Sequence, residues 1–258
     1  MNARKPEHER AVVTFVTFVA AVLALFPAAV SGQSFGGSVT TFIPQTAFEG
    51  AGGSLGFETA LETSFGLGDF ISFPIGFAYN QVYGLTANSS EDAEQELSSD
   101  GPWYYADSFL PYLMVKATVP VGPVYIEAFG GGGANLIFNL HPVTNQIAED
   151  LADAGAISRA ASDAPVGIES TGLKTTTKAG FGWMIGGGAG VTFGQISVGV
   201  DVTFRRMKHA ISVTGNYFSS DGTSGENGAF DTEAYFGEDG LNLFLEGWAI
   251  GIGGRYAM

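Results

Sequence analysis

The 258-residue chain contains no cysteine. That absence excludes disulfides, thiolate catalysis, a lipid-modified N-terminal cysteine and cysteine-ligated zinc. Charge is scarce as well: 14% of residues are Asp, Glu, Lys or Arg, against roughly 25% in soluble domains, too few to cover a water-soluble sheet protein. Basic residues are the scarcest, 11 against 26 acidic for a net charge of −15, so the cationic surface that nucleic acid requires is missing. The mostly apolar run at 11–26 ends after sixteen residues, short of the ~20 that a spanning helix needs.

The flanks of that run explain it. Arg4, Lys5 and Arg10 precede it, and the small residues of 27–32 follow, ahead of Gln33. This is the three-part pattern of a secretory signal, so residues 1–32 are expected to be a cleaved export signal and 33–258 the mature domain.

What the mature chain does contain is alternation. Within 175–205, Phe181, Trp183, Ile185, Ala189, Val191 and Phe193 share one face, and Gly180, Gly182, Met184, Gly186, Gly188 and Gly190 the other. After a two-residue break at Gly194-Gln195, Ile196, Val198, Val200, Val202 and Phe204 alternate with Ser197, Gly199, Asp201, Thr203 and Arg205. A side-chain period of two marks a strand with unlike surroundings on its faces, and the break marks a hairpin. The unit recurs at 34–43, 55–65, 71–83, 108–117, 124–138 and 241–258, giving eight predicted strands. Short turns at 66–69, 119–123 and 194–195 alternate with long loops at 45–53, 85–102, 140–173 and 213–240, so every tight turn falls on one side. This arrangement predicts an all-β fold, an eight-stranded antiparallel up-and-down transmembrane β-barrel. Its turns and termini would lie in the periplasm and its acidic loops outside the cell. Within 140–173, Ile147, Leu151, Ala154 and Ile157 recur at helical spacing and predict a short amphipathic cap helix.

Charge placement decides which face meets lipid. The apolar faces of the second to seventh strands carry no charge, where an Arg or Lys would cost roughly 2–4 kcal/mol at mid-bilayer. The polar faces are mostly Gly, Ser, Thr and Asn, as suits a crowded barrel interior. Their charged exceptions are Glu58, Glu62, Lys116, Glu127, Lys178, Asp201, Arg205 and Arg255, four acids and four bases expected to pair inside the barrel. The long loops hold 17 acids and Arg159 as their one base, and are expected to be solvated. Tyr79, Tyr83, Trp103, Tyr105 and Phe138 toward the loops, with Phe65, Phe193 and Tyr256 toward the turns, predict two interfacial aromatic girdles. Pro74 and Pro111 do not suit a barrel without edge strands and are expected to mark bulges.

On these features, 34–258 resembles the small eight-stranded outer-membrane barrels of diderm bacteria, the OmpA-domain, OmpX and OmpW type. The most specific match is the last strand, Trp248-Ala-Ile-Gly-Ile-Gly-Gly-Arg-Tyr256-Ala-Met258, with Met258 where such families usually end in Phe or Tyr. The resemblance implies a monomer in the lipid bilayer of the outer membrane, inserted by the assembly machinery that reads that strand. It also implies internal salt bridges and, by likeness to OmpW, a path for hydrophobic molecules.

Catalytic groupings are thin. His209 and Ser212 show no third member and read as a surface pair. The glycine runs at 130–133 and 186–188 lead into no helix with Lys or Ser/Thr and are not phosphate loops. The acidic stretch 221–228 lacks the ligand spacing of a calcium loop. No enzyme, cofactor or metal is expected. The first functional expectation is a narrow pore or path for small, including hydrophobic, solutes, with room left by the glycines and Leu110, Tyr112, Met114, Phe129 and Met184 as apolar lining. The alternative is a surface adhesin or ligand-binding protein acting through its acidic loops on a host surface, with the barrel as anchor.

Overall fold

The computed structural model describes residues 33–44, 56–68, 70–90, 93, 95–161, 164–222 and 224–258. The expected signal at 1–32 and the glycine-rich loop at 45–53 lie outside the described residues. The strands are β1 (Gln33–Pro44), β2 (Gly56–Leu67), β3 (Ile71–Ser89), β4 (Ser98–Val121), β5 (Val124–Pro142), β6 (Val166–Ile168), β7 (Lys174–Thr177), β8 (Gly180–Phe193), β9 (Ile196–Ser220), β10 (Gly225–Asp231) and β11 (Leu241–Ala257). The helices are α1 (Thr144–Asp153) and α2 (Thr232–Phe236). Eight strands close into an antiparallel ring in the order β9-β11-β1-β2-β3-β4-β5-β8, and β8 pairs back onto β9. Ser34 faces Ala257 across β1 and β11, so the described ends of the barrel domain meet at the turn end. Gly68, Gly122 and Gly194 make the three tight turns with φ of 70°, 65° and 62°, a left-handed backbone that glycine adopts without steric cost.

The long loops at 85–102, 140–173 and 213–240 are in good part folded, which corrects the sequence reading. Residues 85–89 and 98–102 belong to β3 and β4, and the last eight residues of β9, with β10 and α2, occupy most of 213–240. The alternation runs on but its polarity inverts. Along β9 the apolar side chains Val198, Val200 and Val202 point outward, whereas higher up Met207, Ile211 and Val213 point inward and are buried. Along β11, Ile252, Ile250 and Trp248 are exposed, whereas Leu245, Leu243 and Leu241 are buried. Lipid wets the outside of the lower half, so apolar groups face out there. Water wets the outside of the upper half, so apolar groups turn in.

The upper half is also narrower. β1 ends at Pro44, β2 begins at Gly56, and above them β3 and β11 pair directly, Leu241–Phe244 against Ser89–Thr86. A wall with two strands fewer has a lumen that side chains can fill. β6 and β7 flank β9 on one side and β10 on the other. The expected cap helix is α1, which buries Ile147, Ala148 and Leu151 but ends at Asp153, so that Ala154 caps it and Ile157 is buried beyond its end. Trp103, expected in a girdle, is instead fully buried. It is an extra residue between the pairs Leu85/Tyr104 and Thr86/Pro102, a bulge of the kind that re-aims a side chain, and its indole donates to Asp150 of α1 at 2.5 Å.

The two prolines mark no bulge. Pro74 falls in a gap of the β3–β4 ladder and Pro111 in a gap of the β4–β5 ladder, with the register unchanged on either side of each gap. Each missing N–H interrupts one ladder while the strand stays paired on its other edge.

Candidate functional site

The interior of the lower half gathers charge from five strands. Glu58 and Glu62 come from β2, Lys116 from β4, Glu127 from β5, Asp201 and Arg205 from β9, and Arg255 from β11, all lining one cavity. Arg205 pairs with Glu58 and donates to Asn80 Oδ1 at 3.2 Å. Lys116 Nζ lies 3.5 Å from both Glu62 and Glu127. Arg255 pairs with Glu127 and reaches to 3.8 Å of Glu62, while the Tyr112 hydroxyl donates to Glu62 at 3.4 Å. Each cation also stands on a ring: Lys116 is 5.4 Å from the Phe129 centroid, Arg205 5.4 Å from that of Phe42, and Arg255 5.5 Å from that of Tyr125. Asp201 takes no part in the ion pairs among the described residues.

The expected balance of four and four is therefore four acids and three bases, because Lys178 is not inside. It precedes the first residue of β8, past the point where the inward alternation begins, and its side chain is 61% exposed at the rim. There it pairs with Asp239 at 2.7 Å, a hydrogen bond that holds its pKa above the usual lysine value.

The expected apolar lining, Leu110, Tyr112, Met114, Phe129 and Met184, surrounds the same cavity. The room expected beside the glycines is taken. The Phe129 ring lies over Gly186, where a Cβ would come within 2.6 Å of it, and the Tyr125 hydroxyl fills the space against Gly190 and Gly199. What remains is about 90 Å³, room for a few water-sized molecules. Tyr125, on the polar face of its strand, is the lining residue that sequence reasoning passed over; its position opposite Ile126 and Val124 was the available signal. Gly186→Val is expected to cost about 1–3 kcal/mol through overpacking against the Val202 carbonyl and the Phe129 ring, read as a lower denaturation midpoint; an unchanged midpoint would mean that both the backbone and the ring give way.

His209 is buried and points inward, with its Nε2 3.1 Å from Asn135 Nδ2. Ser212, three residues on, belongs to the opposite face of β9. They form no pair, at the surface or elsewhere, because an odd spacing along a strand separates faces.

Outside, the lower half carries an apolar belt from Phe35 and Val39 on β1 round to Ile250 and Ile252 on β11, all exposed. At its upper margin Phe77 meets Phe109, Tyr79 stacks on Phe138, and Phe204 packs against Trp183 and Trp248. No family profile and no characterised protein matches this chain by sequence. Among solved structures it is similar to the outer membrane protein OprG from Pseudomonas aeruginosa, at a TM-score of 0.50 and 9% identity over 88% of this chain and 96% of that one. The chain is an eight-stranded barrel of the bacterial outer-membrane type. Two further likenesses are weaker. A major outer membrane protein of Thermus thermophilus has a TM-score of 0.42 at 10% identity over 88% and 99%. The outer membrane protease OmpT of Escherichia coli has 0.36 at 9% over 89% and 98%. At these identities the OprG likeness concerns the fold, and the other two carry no argument about function. The barrel fold and its apolar belt together imply a lipid bilayer around the lower half.

Proposed function

We propose that this protein is a closed, non-enzymatic outer-membrane anchor whose outer half works as a surface binding protein. One observation carries the reading: above the aromatic margin the barrel continues as a narrower structure packed solid with apolar side chains, Leu85, Trp103, Tyr104, Met207, Leu243 and Phe236 among them. A conduit gains nothing from such a core, whereas a binding surface gains a rigid platform. The platform exposes Asp231, Glu233, Glu238 and Asp239 around α2, which suits a partner with a basic surface. Its binding should weaken with salt and on neutralising Glu233 and Glu238.

A narrow path for small hydrophobic solutes is the second reading, supported by the apolar side of the cavity. Planar-bilayer conductance separates the two. The refolded mature chain is expected to be silent, and Tyr112→Ala with Phe129→Ala to conduct, because their rings occupy the lumen. Discrete steps from the unaltered chain would overturn the closed-anchor reading.

A further inference from the structure

The outward-facing side chains of β9 run Ile196, Val198, Val200, Val202, Phe204 and then change character to Arg206 and Lys208. Phe204 lies 5.6 Å from Trp183 and 5.1 Å from Trp248, an aromatic cluster of the type found at the hydrocarbon boundary. At ~3.3 Å per residue and a tilt of roughly 40°, each residue climbs about 2.5 Å. Arg206 and Lys208 therefore stand about 5 and 10 Å beyond the cluster. The headgroup layer occupies roughly the first 5–8 Å beyond the hydrocarbon on each side, so Arg206 sits at phosphate depth and Lys208 just above it, where its flexible stem reaches back to the phosphates.

Their surroundings suit an anionic amphiphile. Arg206 is half exposed, with its guanidinium 5.5 Å from the Phe244 ring and its Nε 3.1 Å from Glu246. Lys208 is exposed, lies between Phe181 and Phe244 on the neighbouring strands, and takes part in no ion pair among the described residues. On a chain of net charge −15, two adjacent outward cations stand directly above a lipid-facing cluster.

We propose that Arg206 and Lys208 form a site for the phosphate of an anionic lipid in the leaflet at the long-loop end, with its acyl chains lying along Phe204, Trp183 and Trp248. The planar guanidinium takes two phosphate oxygens and the ammonium adds a point charge. Glu246 competes for Arg206 and limits the affinity from within. The proposal rests on the barrel spanning a bilayer.

The test is quenching of the tryptophans by brominated-chain phosphatidylglycerol or brominated-chain phosphatidylcholine in vesicles of phosphatidylcholine. Trp183 and Trp248 flank the site, and Trp103 is buried under α1. Quenching by the brominated phosphatidylcholine reports insertion; its absence would sink the membrane reading itself. With insertion established, the intact chain should prefer phosphatidylglycerol. Arg206→Gln with Lys208→Gln should lower that preference about tenfold, Glu246→Gln should raise it, and Lys174→Gln, farther out on β7, should leave it unchanged. Equal quenching by the two lipids in the intact chain, or a preference retained by the double variant, would overturn the site. Excess inorganic phosphate should leave the preference intact; its loss would make this a free-anion site and not a lipid one.

Discussion

Arg205→Ala is expected to remove about 3–5 kcal/mol of stability, the cost of leaving a buried charge without its partner. The side chains of Arg205 and Glu58 are 4% and 7% exposed, so Glu58 would lose its cation in a site with little water to replace it. Neighbouring interactions make the loss larger: Asn80 forfeits its donor at 3.2 Å and Phe42 the guanidinium over its ring. The measurement is a urea titration of the refolded barrel, scored by heat-modifiable gel mobility. Replacing both partners, Glu58→Leu with Arg205→Met, should recover most of the loss, since an apolar pair of similar size needs no desolvation. Lys178→Ala, which breaks a solvated rim pair with Asp239, should leave the midpoint unmoved. Equal effects for Arg205 and Lys178 would refute the distinction between interior and rim.

The second large effect is local. Trp103→Ala should cost about 3–5 kcal/mol, as for other buried large-to-small changes, and the damage should stay in the outer half. Trp103 is what α1 closes upon: its indole donates to Asp150, and Ile147, Ala148 and Leu151 are buried on the same helix. Arg159 is held beside that helix by Glu149 and Asp153, each at 2.7 Å. Loosening α1 should expose the bond after Arg159 to trypsin, with cleavage faster by about a hundredfold or more if opening limits it. The cleaved barrel should still shift on an unheated gel, because the ion pairs and glycine–ring contacts of the lower half do not depend on α1. Global unfolding instead would mean that the two halves are one cooperative unit.

How much of this was legible in the sequence depended on where lipid ends. From Ile196 to Arg205 each step along β9 changes solvent, so the alternation gave the strand, its hairpin to β8 and the lipid-facing side. From Arg206 onward the apolar parity shifts, Met207 and Val213 replacing Val200 and Val202 as the apolar residues on the opposite face. A pattern that swaps faces reads like a pattern that stops, and the acids that follow β9, from Asp221 to Asp239, completed the appearance of a solvated loop. The inversion was the missed signal. Trp103 had no such signal, since a bulge is a mismatch in residue count between two strands and is invisible in either alone.

The sequence by itself determined the eight-stranded ring, its tight turns and its lipid belt, because period-two contrast and turn residues act between neighbours in the chain. It also named seven of the charges that line the cavity, from their place on the polar faces. Only the tertiary structure decided which of them meet. Arg205 and Glu58 are 147 residues apart, and their contact depends on register accumulated around the ring. The same closure set Phe129 over Gly186, turned apparent room into packing, and left Lys178 beyond the strand end that would have carried it inside. Local contrast decides which way a side chain faces; what it finds there is set by strands far away in sequence.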